Sequence, residues 1–324
     1  MSKRQLFNVE LRPTVGSRFQ PTGFPDIGNA LFDRPLGDGT WEQALLVESA
    51  QSMANRLEGT AWDDGIEVPM PVFDGLPYVR VMKGDDYLTS SRTEAHRLAS
   101  AFVKDSSLDG ENMKAVIKER LRLKEDRPLS YREIAGGVFA LDPFSLIHGV
   151  FFAEAAKVWP GQPKIARAIT GMIEAHDVRR AESGGVKKDL VRHAILKGQG
   201  GSAEGYGSIP FHRTEWTAQR IVAMFAIDIG QVESYGLPDS ATSLLLAIAR
   251  WEVATLLDGG LRLRTACDLE VAEQGPITAG DGTELESPDT LAVEIRRLID
   301  ECGGSLGTGA PMLVEWDGGG KKKP

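Results

Sequence analysis

Basic side chains gather around a glycine-rich stretch in the middle of the chain. Residues 178–193 read VRRAESGGVKKDLVRH, and GQGGSAEGYG follows shortly after. This segment supplies Arg179, Arg180, Lys187, Lys188 and Arg192, although the 324-residue chain has a formal net charge of −9. Affinity for a phosphate chain depends on the local density of Lys and Arg, so the segment favours a polyanionic partner. An ordinary solvated surface with chance clustering of charge is the alternative.

A second group of candidate residues lies in LLVESAQSMANRLEG, residues 45–59. Its apolar residues recur at helical spacing, as Leu46, Ala50, Met53 and Leu57. Ser49, Ser52 and Arg56 share a neighbouring face, and Gln51 and Asn55 form an i, i+4 pair. Hydroxyl and amide side chains beside one Arg suit hydrogen bonds to a sugar-phosphate chain, whereas proton transfer requires a poised His or a carboxylate pair. The segment therefore predicts binding rather than catalysis, and an ordinary amphipathic helix is the alternative.

Motifs that would indicate catalysis are missing from the sequence. It contains no HExxH, GxxxxGK[ST], GxSxG or SxxK, and its five histidines have no metal-ligand spacing. We therefore expect no cofactor, no bound metal and no enzymatic activity. Asp26 and Asp33 follow the first predicted strand, where an acid can bind a metal or activate a 2′-hydroxyl. Turn residues beside Gly23, Pro25 and Gly28 are the alternative that the sequence favours.

Composition favours a globular protein of the cytoplasm. A hydrophobic content of 42% is enough to bury a core. Cys267 and Cys302 form neither a disulfide framework nor a metal-ligand pattern, which favours a reducing compartment. The first residues lack the apolar run of a signal peptide, and we expect no segment to span a membrane.

Strands and helices follow one another in a pattern that predicts an α+β fold. Residues 7–11 alternate as a strand does, and TWEQ at residues 40–43 resembles a capping box for a helix that ends near Gly59. The apolar run 221–229, the helix-forming run 241–258 and the alternating residues 261–271 predict a closing β-α-β unit, with Arg262 and Arg264 on the outer side of its last strand. Together these elements predict a ferredoxin-like β-α-β-β-α-β sheet.

The remaining segments are predicted to be insertions and a tail. Residues from about 60 to 134 form the first insertion, with a hairpin at residues 83–86 and a helix that begins at SRTE, residues 91–94. Residues 145–153 and 168–175 are predicted strands. The basic stretch, about 179–217, is the second insertion. Residues 272–324 are predicted to be an acidic, loop-rich C-terminal region and tail.

Six ordered segments resemble one protein family. They are LRPTVGSRFQPTGFPDIG, LLVESAQSMANRLE, LTSSRTEAHRL, IEAHDVRRAESGGVKKD, GYGSIPFHR and GLRLRTACDLE, and the resemblance covers residues 7–271. The chain resembles the backbone subunit of type I CRISPR surveillance (Cascade) complexes, the Cas-seven family of the RAMP superfamily, and more narrowly its type I-G subgroup, formerly called I-U. The resemblance implies a modified RNA-recognition-type (RRM-like) palm at residues 1–271, with fingers and a thumb as its insertions. It also implies that copies of the chain stack head to tail along a guide RNA. The thumb of each copy would insert between bases and kink the RNA at regular intervals.

The resemblance further implies roles for individual residues. Ser49, Gln51 and Ser52 match a segment that lies against the guide backbone, and Tyr206, Ile209 or Phe211 is the candidate wedge between bases. The complete set of predicted RNA contacts is Arg18, Gln20, Ser49, Gln51, Ser52, Asn55, Arg56, Arg167, Arg179, Arg180, Lys187, Lys188, Arg192, Arg213, Arg262 and Arg264. For the last two, contact with a neighbouring copy or with solvent is the alternative.

The predicted function is that of a non-catalytic scaffold in antiviral defence. The protein would polymerise on CRISPR RNA and present it for pairing with target DNA in an R-loop. Its expected partners are the guide RNA, the target DNA strand, further copies of itself, a large subunit and a subunit of Cas-five or Cas-six type. The alternative is a metal-dependent ribonuclease, like related type III backbone subunits, with Asp33 or Asp26 as its catalytic residue.

Overall fold

The strands and helices are those of a computed structural model, which describes residues 3–24, 28–154, 158–187, 209–273, 275–316 and 318. The strands are β1 Arg4–Pro13, β2 Gly23–Phe24, β3 Gly28–Asn29, β4 Leu31–Pro35, β5 Trp41–Glu48, β6 Trp62–Asp63, β7 Val68–Pro69, β8 Tyr78–Lys83, β9 Asp86–Ser90, β10 Ser107–Leu108, β11 Glu111–Asn112, β12 Val150–Phe151, β13 Lys164–Ile165, β14 Ile169–Lys187, β15 Ile209–Asp228, β16 Leu261–Arg264, β17 Cys267–Val271 and β18 Pro311–Glu315. The α-helices are α1 Ala50–Thr60, α2 Ala101–Lys104, α3 Met113–Arg120, α4 Tyr131–Leu141, α5 Phe144–His148, α6 Ile229–Glu233, α7 Asp239–Asp258 and α8 Pro288–Cys302.

The largest sheet has seven antiparallel strands in the order β16-β17-β1-β15-β14-β5-β4. Strand β1, an interior strand of this sheet, buries Phe7, Val9 and Leu11, as their alternation predicts. Helices α1 and α7 contact each other and pack against β14 and β15. Gly171 permits the close approach of α1, because a Cβ there would lie 2.7 Å from the Met53 Cγ and 2.8 Å from the Phe225 ring. The α+β class is therefore confirmed, with a large antiparallel sheet as its main body.

Strands β14 and β15 extend well beyond this sheet. Only residues 173–176 of β14 pair with β5, and only residues 221–228 of β15 pair with β1. The outer residues, 178–187 and 209–218, pair with one another, and one isolated bridge joins Phe19 to Trp216. We call this outer part the ribbon. Ten residues at about 3.3 Å per residue give it a length of about 30 Å.

A second sheet has the order β11-β10-β18-β8-β9 and incorporates the C-terminal part of the chain. Strand β18 pairs in parallel with β8, and helix α8 packs against α7. Helix α8 begins after the N-cap Ser287 and buries Leu291, Ile295 and Leu298 at helical spacing. The expectation of a loop-rich region after residue 272 is therefore wrong for residues 288–302 and 311–315. The acidic residues Asp289, Asp300 and Glu301 are exposed on this amphipathic helix.

The predicted helix start at residues 40–43 is also wrong. Residues 41–48 form β5, which pairs with β4 and β14 and buries Ala44, Leu45 and Val47. The helix begins only at Ala50, where the Ser49 side chain caps it. Pairing on both sides of the strand outweighs the local capping pattern, since tertiary contacts override intrinsic propensity.

Three further segments differ from the expected elements. The predicted single strand 261–271 is a hairpin, β16 and β17, that turns at Ala266 with a φ of +62°. At SRTE the chain forms a turn followed by the 3-10 helix Arg97–Ala99, and Arg97 itself has a φ of +50°. Residues 145–153 contain the end of helix α5 and only the short strand β12. The hairpin at residues 83–86 and the strand over 168–175 are confirmed.

Helix α7 is long and apolar enough to cross a membrane by length and composition alone. Most of it is buried against the sheet and against α1 and α8, which is typical of a core helix. Its burial explains why so apolar a helix lies in this fold.

Candidate nucleic-acid interface

The N-terminus of α1 combines free backbone donors with polar side chains. The Ser49 Oγ accepts a hydrogen bond of 3.3 Å from the Ser52 amide, while the amides of Ala50 and Gln51 have no acceptor within the helix. The Gln51 side chain is exposed. Amides and the helix dipole at such an end favour an anion.

Arg167 adds positive charge at the same place. Its Nη1 donates a hydrogen bond of 3.2 Å to the carbonyl oxygen of Ala50, 117 residues away in the sequence. Partial burial lowers the pKa of Arg167, and the nearby charge of Arg97 lowers it further, but an arginine stays charged in proteins. The fold thus unites four predicted RNA contacts, Ser49, Gln51, Ser52 and Arg167.

Arg56 and Arg264, two other predicted contacts, share one buried carboxylate. Glu48 ends β5 with a side chain only 1% exposed, and it forms ion pairs with Arg264 and, at 3.4 Å, with the Arg56 Nε. Arg56 Nη2 also donates to the carbonyl of Leu263 at 2.6 Å. The two guanidinium groups remain 27% and 25% exposed, so each keeps a surface toward solvent. Their contact with RNA stays a prediction, and their ion pairs with Glu48 are a structural role that the sequence did not indicate.

The loop after β1 connects this region to the base of the ribbon. The Gln20 carbonyl accepts a hydrogen bond of 3.2 Å from Arg264, and its amide donates to Ala266. Arg18 forms an ion pair of 3.3 Å with Glu215, next to the bridge at Trp216. Within the described residues, the exposed Arg262 side chain forms no ion pair.

Exposed arginines line the ribbon. The Arg179 and Arg180 side chains are 79% and 58% exposed, and they face Asp177 at 3.8 Å and Glu182 at 3.1 Å. Arg213 is also exposed, with its guanidinium 5.7 Å from the centroid of the Phe211 ring. Ion pairs as exposed as these contribute little to stability, so a phosphate can compete for the same guanidinium groups.

Phe211 is the one candidate wedge whose side chain the structure describes. Its ring is 47% exposed and lies over Gly185, where an added Cβ would approach the ring to 3.3 Å. Tyr206, Lys188 and Arg192 lie outside the described residues, as do the side chains of Lys187 and Ile209.

The carboxylates proposed for the alternative activity are not brought together in the described residues. Asp33 lies on the edge strand β4, opposite Gln43, and is exposed, whereas Asp26 lies outside the described residues. No group of three or more His, Cys, Asp or Glu residues in the described part of the chain is arranged to hold a metal ion.

A family comparison decides what kind of protein carries this interface. The family model described as CRISPR-associated protein GSU0053 (Cas_GSU0053) matches residues 6–180, more than half of the chain. The chain belongs to this family. The match confirms the resemblance to CRISPR-associated proteins of the Cas-seven type, and the narrower type I-G subgroup stays a prediction.

Two solved structures resemble this member of the family at low similarity. One is Csc2 of Thermofilum pendens, with 10% identity, a TM-score of 0.33, and coverage of 93% of this chain and 78% of the other. The second is a CRISPR RNA-guided surveillance complex in a pre-nicking state, with 11% identity, a TM-score of 0.38, and coverage of 82% and 73%. Among curated proteins, none matches the chain.

Proposed function

We propose that this protein is a CRISPR RNA-binding backbone subunit of a type I, and more narrowly type I-G, Cascade surveillance complex. The observation that carries the proposal is the ribbon, a projection of about 30 Å on which Arg179, Arg180 and Arg213 are all exposed. A narrow ribbon with exposed arginines fits a single polynucleotide strand better than it fits a small substrate. Family membership supports the same proposal.

The proposed palm is a ferredoxin-like sheet, and strand order supports it. Strands β17, β1, β15 and β14 lie side by side, which is the order fourth, first, third, second of a β-α-β-β-α-β unit. Helices α1 and α7 occupy the two helix positions of that unit. We further propose fingers over about residues 60–134 and a thumb over about residues 179–217, whose outer part is the ribbon.

Binding by this interface would be largely indifferent to the guide sequence. Guanidinium groups and helix amides contact phosphates, which position a strand without reading its bases. The bases are then left to pair with a target DNA strand, so the guide itself supplies specificity. Further copies of the chain, a large subunit and a Cas-five or Cas-six type subunit are the proposed protein partners, and the cytoplasm is the proposed location.

The proposal is tested by expressing the protein with a CRISPR array. We expect RNA of defined length to co-purify, with several protein copies per RNA and a curved repeating spine in electron micrographs. Protein that purifies without nucleic acid and ignores added oligoribonucleotides at low ionic strength contradicts the proposal.

We propose a non-catalytic role, and a metal-dependent ribonuclease is the second candidate. The position of Asp33 on the strand after the first loop is the observation that keeps this candidate. Incubation of the assembled complex with complementary RNA and magnesium separates the two. Regularly spaced cuts that disappear in Asp33→Ala establish the ribonuclease, and intact RNA favours the scaffold.

A further inference from the structure

A β-bulge at the end of β5 turns the Glu48 side chain to the helix-covered side of the sheet. Regular alternation along a strand would put Leu46 and Glu48 on the same face. The pairing with β14 shifts at this point, however, so that Leu46 lies opposite Glu174. Glu48 lies opposite Ile173 instead. Cross-strand partners share a face, and Ile173 shares its face with Gly171, over which α1 packs. The bulge therefore brings Glu48 to the side of α1, where its side chain is only 1% exposed.

Two arginines from separate elements meet this carboxylate. Arg56 of α1 and Arg264 at the end of β16 each form an ion pair with Glu48, in the case of Arg56 at 3.4 Å through its Nε. Backbone carbonyl groups hold the two guanidinium groups from other directions. Leu263 accepts a hydrogen bond of 2.6 Å from Arg56, and Gln20 accepts one of 3.2 Å from Arg264. Each guanidinium is thereby held in one orientation before any ligand binds.

Both arginines keep a surface and donors for a ligand. Their side chains are 27% and 25% exposed, and a guanidinium has five N–H donors, more than these contacts use. Arg56 follows Ser52 by four residues, which is about 6 Å along the same face of a helix. It therefore continues the polar line that begins at the free amides of the α1 N-terminus, and a strand held there can reach it.

The charge balance around Glu48 favours an anionic ligand. One carboxylate between two guanidinium groups leaves one net positive charge. Burial of a carboxylate is costly, and a buried ion pair adds little net stability compared with apolar packing. Anchored guanidinium groups, in contrast, lose less conformational freedom when they bind a phosphate. Preorganisation for a phosphate explains the buried carboxylate better than stability does.

We propose that Glu48 is a positioning residue, which holds Arg56 and Arg264 in the orientation in which they contact phosphates of the bound strand. The inference rests on the proposed function and gives a role to a residue that does not itself touch RNA. It involves phosphate contacts alone, so binding stays indifferent to the guide sequence. Its distinctive consequence is that a negative charge strengthens the binding of a polyanion.

Glu48→Gln separates positioning from the effect of charge alone. It removes one negative charge at nearly constant volume, and the charge effect by itself is tighter binding of RNA, whereas loss of positioning weakens it. The matched control is Glu133→Gln on α4, because Glu133 also pairs with two arginines, Arg122 at 3.2 Å and Arg127 at 3.1 Å. Fluorescence anisotropy of a labelled single-stranded RNA of mixed sequence, at several salt concentrations, measures affinity and salt slope. Circular dichroism checks that each variant is folded.

We expect Glu48→Gln to bind RNA about tenfold more weakly than the unsubstituted protein, the effect of about one hydrogen bond to a charged group. Its salt slope should be shallower by up to about 1.4, since each of two lost phosphate contacts accounts for about 0.7. Glu133→Gln should keep the affinity and slope of the unsubstituted protein. In a protein that already carries Arg56→Ala and Arg264→Ala, Glu48→Gln should cause no further loss of affinity, because its effect acts through those two arginines.

Unchanged or tighter binding by Glu48→Gln, an equal loss in Glu133→Gln, or a further loss in the background of the two alanines overturns the positioning role and leaves the proposed function standing. If Glu48→Gln does not fold, Glu48→Asp provides the test, because it keeps the charge and withdraws the carboxylate by one methylene group. Weaker binding by Glu48→Asp supports the role, and unchanged affinity overturns it. Failure of the unsubstituted protein to bind RNA at low ionic strength instead overturns the proposed function, and the positioning role with it.

Discussion

Replacing Arg179, Arg180 and Arg213 of the ribbon with alanine should make the affinity for RNA less dependent on salt concentration. Each guanidinium is exposed, and none is needed to fill the core. For a single strand, log affinity falls with log salt at a slope of about −0.7 for each phosphate neutralised, so three lost contacts change the slope by about 2. The ratio of the affinity of the unsubstituted protein to that of the variant should therefore be about 20-fold smaller at 200 mM salt than at 50 mM salt.

Fluorescence anisotropy of a labelled single-stranded RNA, titrated at several salt concentrations, gives both slopes. The control variant replaces three arginines outside the ribbon, Arg12, Arg122 and Arg297, with alanine. Each of them forms an exposed ion pair, with Glu270, Glu133 and Glu301 respectively. The control variant has the same net charge, so a long-range effect of charge alone changes both variants equally. Equal slopes for the ribbon variant and the unsubstituted protein would refute the assignment of the ribbon to phosphate contacts.

Three further predictions concern the scaffold beneath the interface. Glu48→Gln should lower the free energy of unfolding by about 2–4 kcal/mol, because it leaves Arg56 and Arg264 around a buried site without their carboxylate. Urea unfolding measures this change, and a loss below about 0.5 kcal/mol contradicts a stabilising role for the Glu48 ion pairs. Gly171→Val should cost about 1–3 kcal/mol by overpacking against Met53, and an unchanged melting temperature would show that α1 can shift freely. Burial raises the pKa of Glu252 well above its usual value and lowers that of His148, its partner at 2.8 Å, to about 4. Above the unfolded pKa of His148, Glu252 is the member of this pair that still binds its proton more tightly in the folded state. Stability should therefore fall as pH rises through the pKa of folded Glu252, and Glu252→Gln should remove that part of the slope.

The parts of the fold that follow from sequence are those with a strong local period. Strand β1 alternates over its whole buried length, and α7 carries helix formers between Asp239 and the C-cap Gly259. The interior of α1 was also predictable, since Met53 and Leu57 recur on its buried face. Its start was not, because residues 41–48 form a strand that pairs with the neighbouring β4 and with β14, which is distant in the sequence.

The supports of the candidate site depend on contacts that no local pattern contains. Glu48 meets Arg264 across 216 residues, and Glu58 meets Arg97 across 39. The available signal for Glu48 was a single carboxylate at the end of the apolar run LLVE, next to a helix cap. A charge in such a position indicates a buried partner, but it does not identify the partner. The polar residues of α1 were therefore predictable as a surface, and the network that holds that surface was not.

The acidic net charge of −9 and a polyanionic partner are compatible because of where the charges lie. Glu48, Glu58, Asp142 and Glu252 are largely or wholly buried among positive or polar partners, so they contribute little field at the surface. The ribbon is about 30 Å long, whereas charges are screened over about 8 Å at physiological ionic strength. A phosphate beside Arg213, about 16 Å along the ribbon from its inner end, therefore senses that arginine and little of the acidic body. At 0.01 M salt the screening length grows to about 30 Å, so the acidic body should repel RNA that is bound to the ribbon. The measured log affinity should then fall below the straight line extrapolated from higher salt concentrations. A plot that stays straight to that concentration would mean that the bound strand lies on the side of the ribbon that faces away from the acidic surface.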